Sequence, residues 1–121
     1  MSTEENYLGK IEVSPQAIAA IAQQAVLQTY GVVGLASKNL VDGIADLLTP
    51  DRAGRGVDVR FTPHEDAICV DLYVVLEYGT RLASVANSLQ NLVKFEVEKA
   101  LGLPVLEVNV YVQGLRVSNT D

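Results

Sequence analysis

One cysteine, one histidine and nine basic residues are all that this 121-residue chain offers to several chemistries, and each shortage excludes something. Cys69 has no second thiol in the chain, so no internal disulfide holds the fold, which suits a reducing compartment. His64 has no second histidine with which to complete a zinc site. The nine Lys and Arg are scattered among fifteen Asp and Glu, for a formal net charge of −6. Nucleic-acid binding relies on clustered cations against phosphate, so that class is set aside. The same deficit argues against docking on anionic lipid and leaves any membrane association to a protein intermediary. No apolar run approaches the ~18 residues that span a bilayer, so direct membrane insertion is not expected. The opening MSTEENYLGK is acidic where a secretory signal carries basic residues, and the chain reads as soluble and cytoplasmic.

What is present is a regular apolar pattern. With 49% hydrophobic residues the chain is globular, and its length suits one domain that needs no metal or disulfide to hold it. Residues 1–8 read as a flexible polar leader, 9–117 as the domain and 118–121 as a tail. GKIEV (Gly9 to Val13) alternates as a short strand, with Ile11 and Val13 inward. Ser14-Pro15 is a helix-start signal, and Ile18, Ile21, Ala22, Ala25 and Thr29 form the stripe that follows. Gly31 ends that helix, and Gly31 to Ser37 is a short strand or extended link. Leu40, Val41, Ile44, Leu47 and Leu48 predict a second, short helix closed before Pro50. Asp51 to Gly56 is a loop.

Val57, Val59 and Phe61 alternate with Asp58 and Arg60, and after a turn at Thr62 to Asp66 a longer strand runs to Tyr78. The pair predicts a β-hairpin with Ile68, Val70, Leu72, Val74 and Leu76 on its inner face. Thr80 is placed to cap a long helix from about Arg81 to Leu101, along which Leu82, Val85, Ala86, Leu89, Val93 and Val97 share a side. Gly102 suits a left-handed helix end. The final strand turns Leu106, Val108, Val110 and Val112 inward. The order β-α-(short β/α)-β-β-α-β predicts an α+β two-layer sandwich, with helices on one face of a small mixed or antiparallel sheet.

The same alternation leaves an outward sheet face of Cys69, Asp71, Tyr73, Val75 and Glu77, flanked by Glu107, Asn109, Tyr111 and Gln113. Tyr73, Val75 and Tyr111 make its centre amphipathic, which is either a protein contact surface or ordinary cross-strand pairing on a wet sheet. Phe95 falls away from the stripe of its helix. It is either covered by the Lys38–Leu48 segment or a further contact point. Glu96 leans toward the stripe as a boundary residue whose carboxylate escapes to solvent.

Catalytic readings are weak by comparison. His64 with Glu65 and Asp66 is a solvated turn, since neighbours on a turn rarely converge on one ion. Cys69 lacks a histidine in local reach. Asp71, Glu77 and Glu107 lack an evident pocket and nucleophile. Gly31 to Gly34 has the spacing of a KH-type loop without its basic flanks. Arg52 and Arg55, around Gly54 and Gly56, form a candidate anion-contact loop but match no phosphate-loop motif. They carry the alternative function: a regulatory domain that binds a small anionic ligand or a metabolic enzyme.

Short motifs in a fixed order complete the reading: Gly9-Lys10-Ile11, Ile21-Ala22, Gly31-Val32, Gly56-Val57, Glu77-Tyr78-Gly79, Gln90, Val93-Lys94, Gly102-Leu103 and Val108-Asn109-Val110. In this order and spacing, from about Gly9 to Val117, the chain resembles the alkaline-shock family of bacterial envelope stress proteins, mainly of Gram-positive type. It departs from that pattern at Glu96 and at Ala100-Leu101, both on the long helix. The resemblance implies a non-enzymatic protein of envelope homeostasis that is cytoplasmic, self-associating and held near the membrane by an integral membrane partner. It brings no catalytic residue, metal or cofactor.

Overall fold

Local sequence decides where the helices begin and end, and the sheet decides how they lie. The computed structural model describes residues 2–6, 8–36, 47–48, 56–64 and 66–117. Helix α1 (Pro15–Leu27) starts where the Ser14 hydroxyl oxygen accepts a hydrogen bond from the Ala17 N–H at 3.2 Å, with proline in the first turn. Its buried stripe is Ile18, Ala19, Ala22, Ala25 and Val26, with Ile21 half-buried beside it. The chain then turns at Gly31, whose φ of +92° only glycine adopts readily. A Cβ there would lie 2.8 Å from a Val85 methyl.

Helix α2 (Leu82–Leu101) buries Val85, Leu89, Val93 and Val97 and ends at Gly102, whose φ is +75°. The Gly102 N–H donates to the Glu98 carbonyl at 2.8 Å, closing the last turn. Its start differs from expectation. The cap position is Arg81, which makes no side-chain cap bond. The Thr80 hydroxyl instead donates to the Glu77 carbonyl at 2.7 Å, so it closes the turn that leaves the sheet.

The strands are β1 (Ser2–Asn6), β2 (Gly9–Val13), β3 (Val32–Ala36), β4 (Leu47–Leu48), β5 (Val57–Phe61), β6 (Ile68–Glu77) and β7 (Val105–Arg116). β6 is the axis of a five-stranded mixed sheet. One of its edges is shared: β5 pairs antiparallel with Ile68 to Leu72, and β3 pairs antiparallel with Val74 to Leu76. Its other edge carries β7, parallel, along the whole strand. A parallel neighbour demands a long crossover, and α2 supplies it. Both helices lie on one face, α1 against β3 and β5, α2 against β7. Between the layers sit Ile68, Val70, Leu72, Val74 and Leu76, all fully buried. The architecture is the expected α+β arrangement of helices on one face of a mixed sheet.

Several local expectations are corrected. β2 does not join the main sheet. It pairs antiparallel with β1 in a two-stranded sheet of its own, so Ile11 is exposed and the segment read as a polar leader is a strand. Of the short helix expected over Leu40 to Leu48, the last two residues are strand β4, paired with Leu35 and Ala36; the remainder lies outside the described residues. Leu106 does not point inward. The β6–β7 register steps from Ile68↔Val105 to Cys69↔Glu107, and the extra residue leaves Leu106 64% exposed. The inward set becomes Val105, Val108 and, half-buried, Val110. A bulge of this kind shifts an alternating pattern by one and is invisible to periodicity.

The two leucines separate these readings. Leu89→Ala should cost about 2–5 kcal/mol of unfolding free energy, as a fully buried side chain does. Leu106→Ala should cost no more than about 0.5 kcal/mol. Chemical denaturation of both variants checks the bulge; an equal loss at Leu106 would return it to the core.

Candidate interaction surface

The sheet face opposite the helices is built by register. Cys69↔Glu107, Asp71↔Asn109 and Tyr73↔Tyr111 are direct partners across β6 and β7, while β5 sets Arg60 beside Cys69 and Asp58 beside Asp71. Asp71, buried, is the hub. One of its oxygens accepts from Arg60 Nη2 at 3.2 Å and from Asn109 Nδ2 at 2.9 Å. Asn109 Nδ2 also donates to Glu107 Oε1 at 3.1 Å, and Arg60 lies 4.0 Å from the same carboxylate. The hydrogen bond and charge of Asp71 hold the Arg60 guanidinium even more firmly protonated than usual. Beyond this network the Tyr73 and Tyr111 rings stack, with centroids 5.1 Å apart and planes 15° from parallel. Burial, then the nearby charges of Asp58 and Asp71, raise the Tyr73 phenol above its ordinary value.

The four residues singled out as an interaction surface do not form one patch. Tyr111 is 46% exposed and Phe95 58% exposed, but Tyr73 is 8% exposed and Val75 not at all. Tyr73 is therefore covered, with the Tyr111 ring stacked against it, and Val75 is fully buried on the same outward side of β6. Phe95 sits in the helix layer, with Lys99 Nζ 5.7 Å from its ring centre, whereas Tyr111 is on the sheet. Arg52 and Arg55 lie outside the described residues. His64 is exposed in the β5–β6 turn, where the Thr62 hydroxyl donates to Asp66 at 2.7 Å.

The other organised polar feature joins α2 to the start of β7. Gln90 Nε2 donates to the Val108 carbonyl and Lys94 Nζ to the Val105 carbonyl, each at 2.9 Å. Glu98 Oε2 accepts from the Val105 N–H at 2.9 Å, which with Lys94 lowers its carboxyl below the ordinary glutamate value. Spaced four apart, these side chains form one row along the helix. Composition gave no hint of that role. The signal was the position of Gln90 and Lys94 on the flank of the apolar stripe, next to the strand that follows. The part played by Arg60 was legible in principle, since hairpin pairing sets the polar side of β5 beside Asp71.

A cavity of about 340 Å³ lies where α1 ends and α2 begins, lined by Thr29, Tyr30, Thr80, Arg81, Ser84 and Ser88 among the described residues. A second, of about 350 Å³, opens between the helices beside Ile21, Gln24 and the half-buried Glu96. Among the described residues no group of three His, Cys, Asp or Glu side chains could hold a metal ion. No helix among them is long and apolar enough to cross a membrane.

Comparison with known proteins places this chain in a family. Residues 3–117 match the Asp-twenty-three family, described by a cell envelope-related function. The chain is 42% identical over 112 residues to the uncharacterized protein YloU of Bacillus subtilis, covering 92% of each chain. It is 39% identical over 110 residues to the uncharacterized protein Spy1614 of Streptococcus pyogenes, covering 90% of this chain and 89% of that one. To the uncharacterized protein YqhY of Bacillus subtilis it is 28% identical over 116 residues, 96% and 84% of the two chains. No solved structure matches.

Two measurements check the network. Asp71→Ala leaves Arg60 and Asn109 without their shared acceptor and should cost about 1–3 kcal/mol. Tyr73, raised in the folded chain, contributes stability that is full below the ordinary tyrosine value of 10.0 and is lost as pH rises through the folded value. The denaturation midpoint should thus fall on the alkaline side of that value, less steeply in Tyr73→Phe. Identical alkaline slopes would mean that the phenol is not buried.

Proposed function

We propose a function from one premise: the chain belongs to the Asp-twenty-three family, whose function is cell envelope-related. On this reading it is a non-enzymatic interaction protein of the envelope stress response, alkaline or general. It works in the cytoplasm at the inner face of the membrane, associates with itself and docks on a membrane-anchored partner protein. The formal net charge of −6 supports a protein partner over anionic lipid as the anchor.

One observation carries the proposal. On the outer sheet face Arg60 and Asn109 are held by Asp71, while Tyr111 stays half exposed, stacked on the buried Tyr73. A carboxylate bound to Arg60 and Asn109 is poorly placed to exchange protons with a substrate. A large amphipathic ring held in one orientation suits protein contact, because little side-chain entropy is lost on binding.

Static light scattering over a dilution series provides the test. The apparent mass should rise with concentration, and Tyr111→Asp should lower it while leaving the far-ultraviolet circular dichroism unchanged. Crosslinking in a native cell should recover an integral membrane protein. A chain that stays monomeric when concentrated and recovers no membrane protein contradicts the proposal.

A further inference from the structure

β6 is paired on both edges, whereas β7 is paired on one. Among the described residues no strand takes the outer edge of β7, and an open edge is a template for another strand. Which peptide groups face outward follows from β6. The Tyr73 N–H donates to the Gly56 carbonyl and the Glu77 N–H to the Gly31 carbonyl, both away from β7. Where one member of a parallel bridge turns away, its partner turns in, so Tyr111 and Arg116 direct their peptide groups at β6. The Arg116 carbonyl accordingly accepts from the Tyr78 N–H at 2.8 Å. The intervening Val108, Val110 and Val112 therefore present theirs to the open edge.

That edge is not open throughout. The row on α2 closes its first part, with Gln90 on the Val108 carbonyl and Lys94 and Glu98 on Val105. Among the described residues, what remains open is Val110 to Val112, beside the exposed side chains of Tyr111, Val112 and Leu115.

We propose that this stretch pairs antiparallel with the same stretch of a second copy, about a two-fold axis through Tyr111. The inference rests on the self-association reading and gives it a surface and a register. Only this centre sets Val110 opposite Val112 in both directions, so that their open N–H and C=O groups satisfy each other. Counted along the bridges to β6, the outward residues of β7 run Glu107, Asn109, Tyr111, Gly114, Arg116. Reversed about Tyr111, that series complements itself. Glu107 meets Arg116 of the second copy, twice by symmetry, and Asn109 meets a glycine that offers no side chain to clash. Tyr111 meets its own equivalent in a pair whose peptides turn away, the geometry that brings side chains closest, and the Tyr73–Tyr111 stack continues across the axis. An unrelated strand would share the backbone bonds but not this match of charge.

Charge reversal tests the register. Glu107 has Arg60 and Asn109 nearby, and Arg116 sits across from Glu77, so single and double variants are compared, each checked for folding by circular dichroism. Glu107→Arg and Arg116→Glu should each weaken self-association roughly tenfold by placing like charges together, and the double variant should recover most of the loss. In a Cys69→Ser background, Tyr111→Cys should form a disulfide-linked dimer on mild oxidation, because only the residue on the axis lies opposite itself. Leu106→Cys should not. Self-association that ignores the charge reversals and gives no crosslink at residue 111 overturns this register and leaves the self-association reading standing. A monomer at every concentration overturns both.

Discussion

A strand with no free side organises this domain. β6 is paired along both edges and buries five aliphatic side chains against the helices, each of which gains about 1.5–3 kcal/mol on leaving water. Because β7 runs parallel to it, the chain must cross over between them, and the crossover helix becomes the lid of the inner face. β5 and β3 share the opposite edge, each covering part of its length. The positions of α1, α2 and the β5–β6 turn follow from these pairings.

The same strand dictates what the exterior is able to do. Its outward residues, Asp71 and Tyr73, are buried by their neighbours, which draws Arg60, Asn109 and Glu107 into one hydrogen-bonded network and fixes Tyr111 by stacking. Asp71, Arg60 and Asn109 are satisfied within the sheet, leaving a half-apolar surface at its margin. From the helix side, Gln90, Lys94 and Glu98 fasten the start of β7 and so determine where its edge is available. Together with a family of cell envelope-related function, these arrangements support the interaction role proposed above.

Much of the fold was legible because burial on one side leaves a period in the sequence. The aliphatics of β6, the stripe on α2, the Ser14-Pro15 start and the Gly102 end each follow from a local rule. Illegible were the features in which a second strand overrides the first. The bulge at Leu106 depends on register with β6, the burial of Val75 on what packs over a central strand, and the pairing of Ser2–Asn6 on a hairpin whose polar composition resembles a loose terminus. The candidate site was half visible. Alternation put Tyr73 and Tyr111 on one face without revealing that their rings stack and that only Tyr73 is buried. Gln90 and Lys94 were marked by family resemblance, Asn109 by that and by its outward place on β7, and their geometry now supplies a reason: each hydrogen-bonds β7 or crosslinks it to β6.

Amide hydrogen exchange, resolved by residue and compared between dilute and concentrated protein, puts the central claim to its most direct test. If the margin of β7 is where copies meet, the Val110 and Val112 amides gain protection as concentration rises, while the Val70 and Leu72 amides inside the sheet do not change. Association without added protection at Val110 and Val112, or equal exchange at every concentration, would contradict the account.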